Sequence, residues 1–129
     1  MAAVDRAGGP EDPILLEVMQ NAFATVAEEM GRALQRTAYS TNIKDRLDFS
    51  CAVYAADGSL VAQAEHIPLH LGQLSWGIKN LLARLPDSAL APDTVFMTND
   101  TAVTGAHFPD ILMAKPVYCD GRLIGFVAG

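Results

Sequence analysis

The sequence is poor in cysteine, in basic residues and in long apolar runs, and each shortage excludes a class of protein. Its two cysteines, Cys51 and Cys119, are too far apart for a zinc knuckle or a redox pair, so we expect two buried thiols and no disulfide framework. Nine Lys and Arg residues against 15 Asp and Glu give a net charge of -6 without a basic cluster, which argues against a nucleic-acid partner. No apolar run approaches the ~18 residues of a membrane span, and residues 1–11 lack the pattern of a signal peptide. We therefore expect a cytoplasmic protein with no membrane partner.

The 129 residues are half hydrophobic, which suits one globular domain with a real core. Residues 1–11 are small and polar, and we expect them to be flexible. Asp12 and Pro13 form a helix start, with Asp12 as N-cap and Pro13 at the first helical position. Apolar residues at helical spacing extend this helix to about Arg36 and predict one apolar stripe on a helix that packs rather than binds substrate. Its members are Leu15, Val18, Ala22, Val26, Met30, Ala33 and Leu34, and Gly31 among them indicates close approach to another element.

Two Asp-Gly pairs predict two β-hairpins, because a tight primed turn needs the positive φ that these residues tolerate. The first hairpin joins residues 49–55 to 59–64 through Asp57-Gly58, and the second joins 111–119 to 122–127 through Asp120-Gly121. Between them we expect a second helix over about 75–85 and a short strand over 94–98. This order predicts an α/β fold of the α+β type. The last residues form an apolar strand that we expect further chain or a partner to cover.

The loop after the 94–98 strand contains the strongest candidate site. It runs from Asn99 and Asp100 through Gly105 to the segment His107-Phe108-Pro109-Asp110. An imidazole and a carboxylate three residues apart across a turn fixed by proline suit one divalent ion such as manganese, iron or zinc. The competing interpretation is that His107 donates to a backbone carbonyl while Asp110 caps a turn. Asp100 is a further catalytic candidate, although it most simply begins an Asx turn.

The other two histidines lie in the segment Glu65-His66-Ile67-Pro68-Leu69-His70. Pro68 prevents an i, i+4 helical pair, but in an extended segment His66 and His70 face the same side. They are then placed to converge with Glu65 or with the His107 loop. The alternative is one buried and one solvated histidine. No phosphate loop, nucleophile elbow or dinucleotide fingerprint is present, so any nucleotide is expected on another chain or beyond Gly129.

Three segments, in this order, resemble the hydantoinase B/5-oxoprolinase family: YSTNIKDRLDFSCA at 39–52, VAQAEHIPLHLG at 61–72 and GAHFPD at 105–110. Members of this family run to several hundred residues. The resemblance therefore implies that residues 12–129 are the N-terminal part of a larger mixed-sheet domain, apparently truncated, and that the isolated chain is inactive.

The resemblance also implies an activity. A partner subunit of the hydantoinase A type would use ATP to activate the substrate, and the B-type subunit would open a cyclic amide such as a hydantoin or 5-oxoproline in a hetero-oligomer. The alternatives are a ketone carboxylase of the acetone type and a non-catalytic docking module.

The family's metal-binding pattern carries over to His107 and Asp110, whereas a further histidine that the family places after this strand has no counterpart. The loop also has Asn99-Asp100-Thr101-Ala102 where the family commonly has Asn-Asp-Pro-Tyr, and Thr104-Gly105-Ala106-His107 in place of Gly-Gly-Thr-His. Glu65, His66 and His70 are then expected to orient water or substrate.

Overall fold

Four helices and five strands form the computed structural model, which describes residues 12–64 and 68–129 apart from the side chains of 68–71 and 87. The elements are α1 (Pro13–Thr37), α2 (Thr41–Lys44), β1 (Ala52–Ala55), β2 (Leu60–Gln63), α3 (Pro68–Arg84), a 3₁₀ turn (Asp87–Ala89), β3 (Phe96–Thr98), α4 (Thr101–Thr104), β4 (Leu112–Cys119) and β5 (Arg122–Ala128). The expected flexible terminus, 1–11, lies outside the described residues. The predicted α/β class is confirmed.

The strands form one sheet in the order β2-β1-β5-β4-β3, with every neighbouring pair antiparallel. Both predicted hairpins are present, and β5 joins them by pairing with β1 on one side and β4 on the other. Beyond β5, Gly129 continues the ladder by exchanging two backbone hydrogen bonds with Met113, at 2.8 and 3.0 Å. The larger mixed-sheet domain that the family resemblance implies would need strands in addition to these five, so it stays a prediction.

The two hairpin turns differ in type. Asp120 and Gly121 both have positive φ, at 50° and 74°, and Cys119 pairs with Arg122, as expected for the predicted primed turn. In the first hairpin only Gly58 has positive φ, at 80°, and the amide of Gly58 donates to Ala55. The predicted tight primed turn at Asp57-Gly58 is therefore wrong, because Ala56, Asp57 and Gly58 form a three-residue loop with an irregular register beside it.

Helix α1 begins and ends close to its predicted bounds, and the Asp12 carboxylate accepts from the Ile14 amide at 3.0 Å. Of the predicted apolar stripe, only Met30 and Leu34 pack against a buried cluster. Leu15, Val18 and Val26 are exposed, while the buried positions are Ala27 and Gly31. The reason is that helix spacing shows which residues share a face but not how much of that face finds a partner. The burial of Gly31 agrees with the expected close approach.

Two apolar clusters lie on opposite faces of the sheet. Alternate residues of a strand point to opposite faces, so Ala52 and Tyr54 belong to one cluster while Cys51 and Val53 belong to the other. The first cluster joins α3 to the sheet, and its buried members are Ala52, Tyr54, Leu74, Ile78, Leu112, Ala114, Phe126 and Ala128. The second packs under α1 around Ala27, Phe49, Cys51 and Ala64. Helix α1 thus covers β1 and β2 on one face of the sheet, and α3 covers the opposite face across β1, β5 and β4.

Three local predictions need correction. Helix α3 begins at Pro68, seven residues before the predicted 75, because proline is well tolerated at the first helical position. The short helices α2 and α4 were not predicted, since four residues give no periodic signal. Cys51 is buried as expected, but Cys119 is exposed beside the β4–β5 turn.

In the described part of the chain, none of the helices combines the length and apolarity that a bilayer crossing requires.

Candidate metal site at the His107 turn

The candidate site lies where β3 leaves the sheet and returns as β4. Strand β3 ends at Thr98, and Asp100 then caps α4, whose first-turn amide at Ala102 donates to the Asp100 carboxylate at 2.9 Å. Aspartate is a preferred N-cap because its side chain satisfies amides that have no helical partner. The structure therefore gives Asp100 a capping role, and its catalytic role stays a prediction.

Gly105 ends α4 and turns the chain toward His107. It adopts φ 66° in the left-handed region, and its amide donates to the Thr101 carbonyl at 3.0 Å. This conformation at the residue after a helix is typical of glycine, which has no Cβ to clash. The Thr104 hydroxyl, which belongs to a buried side chain, accepts from the Ala106 amide at 3.1 Å. These local contacts shape the turn by which the chain leaves α4.

Residues 107–110 form a turn that brings an imidazole and a carboxylate together. The Asp110 amide donates to the His107 carbonyl at 3.0 Å, and His107 Nδ1 lies 2.9 Å from Asp110 Oδ2. In the competing interpretation His107 would donate to a backbone carbonyl, but its partner in the structure is this carboxylate. The side chain of His107 is 73% exposed and that of Asp110 is 31% exposed, so the pair is open to solvent.

The separation of these two atoms fits a shared divalent ion. At metal–ligand distances of about 2.0–2.2 Å, two neighbouring ligand atoms lie roughly 3.4 Å apart in a tetrahedral site and roughly 3.0 Å apart in an octahedral one, so the Nδ1–Oδ2 distance of 2.9 Å is closer to the octahedral value. In the pair as it stands, Nδ1–H donates to the Asp110 carboxylate. A metal ion on both atoms would replace this proton, so binding would release it to solvent.

Two ligands do not complete a site. Across residues 12–64 and 68–129, the described side chains form no group of three or more His, Cys, Asp or Glu residues suited to a metal. The predicted helpers Glu65 and His66 lie outside the described residues. His70 lies in the first turn of α3, so the prediction of an extended 66–70 segment is wrong at its C-terminal end. The predicted convergence of these side chains with the His107 loop is untested.

A shallow pocket borders the loop on the β3 side. Its volume is about 180 Å³, and it is lined by Met97, Thr98, Asn99 and Ile111. The side-chain Nδ2 of Asn99 donates to the Phe108 carbonyl at 3.2 Å, which links this pocket to the His107 turn. Small-molecule pockets usually enclose about 300–1,000 Å³, so this one is too small to surround a substrate by itself.

The cysteines do not add a second chemical centre to this loop. Burial raises the pKa of the Cys51 thiol to about 11, which keeps it protonated and poorly nucleophilic near neutral pH. Cys51 packs in the cluster under α1, on the opposite sheet face from α3. Its role is therefore core packing, as the sequence predicts.

Three residues of α3 contact the site loop without having been predicted from sequence. Trp76 lies beside Gly105, Asn80 donates to Val103, and Arg84 donates to Ala102 and approaches Asp100. In the sequence these positions resemble the solvated face of an amphipathic helix. No spacing signal identifies them, because their partners lie 16 to 29 residues later in the chain.

The comparisons with known proteins identify the family. The model of the family described as hydantoinase B/oxoprolinase matches residues 12–129. The chain belongs to this family. It is 46% identical over 119 residues to an uncharacterised protein of Methanocaldococcus jannaschii, covering 91% of this chain and 21% of that protein. It is 43% identical over 127 residues to 5-oxoprolinase 1 of Arabidopsis thaliana, covering 98% of this chain and 10% of that protein. The chain thus spans only about a tenth to a fifth of these relatives.

Solved structures confirm the fold. An ATP-dependent caprolactamase from Pseudomonas jessenii superposes with a TM-score of 0.82 at 32% identity, over 93% of this chain and 21% of that chain. A nucleotide-free acetone carboxylase gives the same TM-score of 0.82 at 21% identity, over 92% of this chain and 16% of that chain. The second likeness, at this lower identity, concerns the fold alone.

Proposed function

We propose that residues 12–129 are part of a subunit that opens cyclic amides with the help of a divalent metal ion. The observation that carries this proposal is the His107–Asp110 pair, whose nitrogen and oxygen lie 2.9 Å apart on a solvent-open turn. Membership of the hydantoinase B/oxoprolinase family supports the class of substrate. Relatives named 5-oxoprolinase, at 43–44% identity, support it further.

In this proposal His107 and Asp110 hold manganese, iron or zinc. The ion, when bound, would polarise an amide or phosphorylated intermediate and lower the pKa of a water molecule toward neutrality. The turn gives both side chains a fixed separation and leaves them open toward solvent, where a substrate can approach. Glu65 and His66, which precede α3, and His70 in its first turn are proposed to orient water or substrate. Asp100 is proposed as a further catalytic residue beside its capping role.

The remaining parts of the reaction are assigned to other chains or segments. The three recognised segments lack a phosphate-binding loop, so we propose that ATP binds to a hydantoinase A-type partner in a hetero-oligomer. A relative named caprolactamase subunit beta, 33% identical over 113 residues, supports this division of labour. The pocket of about 180 Å³ beside Asn99 suggests that further protein surface completes the substrate site.

The acetone-type carboxylase is the second candidate, and sequence identity favours the cyclic-amide hydrolase over it. The acetone carboxylase shares 21% identity with this chain, against 32% for the caprolactamase at the same TM-score. Equal fold similarity with unequal identity therefore points toward the amide-opening branch. A docking module without catalysis is the third candidate.

The deciding experiment pairs the gene product with a hydantoinase A-type partner and ATP. Ring opening is measured with 5-oxoproline, a hydantoin and a lactam, and carboxylation is measured with acetone. We expect ATP-dependent ring opening of one cyclic amide, and its loss by about 100-fold or more in both His107→Ala and Asp110→Asn. Carboxylation of acetone alone would favour the second candidate. Turnover unaffected by both substitutions would contradict the proposed metal site.

A further inference from the structure

Helix α4 is too short to hold its own geometry. A helix of four residues has hardly any internal hydrogen bonds, and its terminal carbonyl groups have no partner within the helix. Isolated helices of this length do not form in water. Contacts from outside the loop must therefore keep α4, and with it the direction of Gly105 and His107, in place.

These contacts come from one side of α3. Asn80 Nδ2 donates to the Val103 carbonyl at 3.1 Å, and an Arg84 guanidinium nitrogen donates to the Ala102 carbonyl at 3.2 Å. The other terminal nitrogen of Arg84 lies 3.8 Å from the Asp100 carboxylate, which caps the start of α4. Side chains of α3 thus approach the N-cap residue of α4 and donate hydrogen bonds to two of its carbonyl groups that have no partner within the helix.

Trp76 makes an apolar contact at the C-terminal end of α4. A Cβ placed on Gly105 would meet Trp76 Cδ1 at 3.1 Å, so the indole edge packs directly on this glycine. The indole is nevertheless 61% exposed, which core packing alone does not explain. Next to it, Gly77 packs tightly on Leu112, whose Cδ2 would lie 2.9 Å from a Cβ placed there, and Thr104 Cα of α4 lies within ordinary contact distance of the same position, at 3.6 Å.

We propose that Trp76, Asn80 and Arg84, here called the α3 stripe, are positioning residues for His107. Their four-residue spacing puts them along one side of α3, where each contacts a successive part of the loop from Gly105 back to Asp100. His107 follows Gly105 by two residues, so the placement of its imidazole depends on where α4 ends. The inference rests on the proposed role of His107, and none of the three residues is assigned a contact with substrate.

The α3 stripe also accounts for how an exposed loop can hold two ligands in a fixed arrangement. His107 and Asp110 lie on a solvent-open turn, and a long loop without outside contacts would sample many conformations in which the two side chains cannot bind the same ion. Hydrogen bonds from a helix whose other side is buried in the core restrict that freedom. Outer contacts of this kind commonly change metal affinity by about 10–100-fold when removed, although they do not touch the ion.

The test uses the whole chain and two independent variants. Asn80→Leu removes the amide donor at similar volume, and Arg84→Met removes the guanidinium while Arg84→Lys restores a charged donor. Lys79→Met is the matched control, because Lys79 is an exposed α3 residue whose side chain lies near Gly58 in the first hairpin. Nitrogen-15 NMR of the imidazole ring measures the tautomer of His107, and His107→Ala assigns its signals. Titration with Mn²⁺ measures the affinity from the broadening of the amide signals of residues 105–110.

We expect wild type and Lys79→Met to show the Nδ1–H tautomer. Asn80→Leu and Arg84→Met should shift His107 to a mixture of tautomers and weaken Mn²⁺ binding about tenfold, with Arg84→Lys partly restored. The proposal would be overturned if Asn80→Leu and Arg84→Met both kept the wild-type His107 tautomer and Mn²⁺ affinity. It would also be overturned if Lys79→Met changed these two quantities by as much. If wild type binds no Mn²⁺, the metal proposal fails, while the tautomer still decides whether the stripe positions His107.

Discussion

Helix α3 packs differently on its two sides. One side buries Leu74 and Ile78 in the cluster against the sheet, where contacts are apolar and exclude water. The other side holds the site loop through two side-chain hydrogen bonds and an indole contact, all of them partly exposed. Apolar burial provides most of the stability of a fold, whereas exposed polar contacts contribute little net free energy but fix direction. Changes on the first side should therefore alter stability, and changes on the second should alter site geometry.

The largest effect is expected from the buried side. Ile78→Ala would remove a side chain with no exposed surface and leave a cavity between α3 and the sheet. Such substitutions typically lower the free energy of unfolding by about 2–5 kcal/mol. Denaturant titration measures this loss. Where the variant stays folded, the His107 tautomer should remain that of wild type, and a changed tautomer would show that the two sides of α3 are not separable.

A smaller loss of stability with a large local effect is expected at Gly105. Gly105→Ala would place a Cβ in the left-handed region and against Trp76 Cδ1, at 3.1 Å. The backbone strain costs about 1–2 kcal/mol, and the indole must also move. We expect a thermal midpoint lower by several degrees and a shifted emission from Trp76, the single tryptophan of the chain. Gly121→Ala is the control, since it shares positive φ, at 74°, but its Cβ meets nothing nearby.

If the indole packs on Gly105, the emission of Trp76 should change in Gly105→Ala and stay unchanged in Gly121→Ala. An unchanged emission spectrum in Gly105→Ala, or the same change in Gly121→Ala, would contradict the described contact between Trp76 and the loop.

The smallest effect concerns the cluster under α1. Burial raises the pKa of Cys51 from 9.0 to about 11 in the folded state, so the folded protein retains the thiol proton at pH values where the unfolded chain loses it. The resulting stability is complete below pH 9 and is lost as the pH rises from about 9 through 11. Allowing for partial solvent screening, the loss is on the order of 1 kcal/mol. Cys51→Ala should remove this part of the alkaline decline, whereas Cys119→Ala, at the exposed cysteine, should not.

Thermal melts at several pH values compare the three proteins. Tyr54 contributes its own decline at high pH because burial also raises its pKa, so the difference between variants is the informative quantity. Identical pH profiles for wild type and Cys51→Ala would contradict the burial of this thiol.

Local signals in the sequence predicted much of the fold. The Asp12-Pro13 start of α1, the Asp120-Gly121 turn and the pairing of two hairpins all depend on a few adjacent residues whose conformational preferences are strong. Within the site, the turn that joins His107 to Asp110 was also predicted, because Pro109 restricts the chain there. The comparisons confirm the family that the three recognised segments resemble.

The remainder depends on contacts between distant parts of the chain. Periodicity predicted an apolar stripe on α1, yet only its C-terminal half packs on the strands. Cys119 looked like a buried strand residue but lies at an exposed hairpin end. Asn80 and Arg84 resembled solvated helix residues, and only the folded chain brings them to α4. Polar contacts of this kind have no sequence period, so they cannot be predicted from spacing.

The most direct test of the central claim is Mn²⁺ binding at the His107 turn, because the paramagnetic ion broadens the NMR signals of nearby residues even when binding is weak. Titration of the wild-type chain should selectively broaden the amides of residues 105–110 and quench Trp76 emission with the same midpoint. His107→Ala and Asp110→Asn should each abolish this selective broadening while leaving the rest of the spectrum, and so the fold, unchanged. Selective broadening that persists in both variants, or its absence from the wild-type loop, would contradict the assignment of His107 and Asp110 as metal ligands.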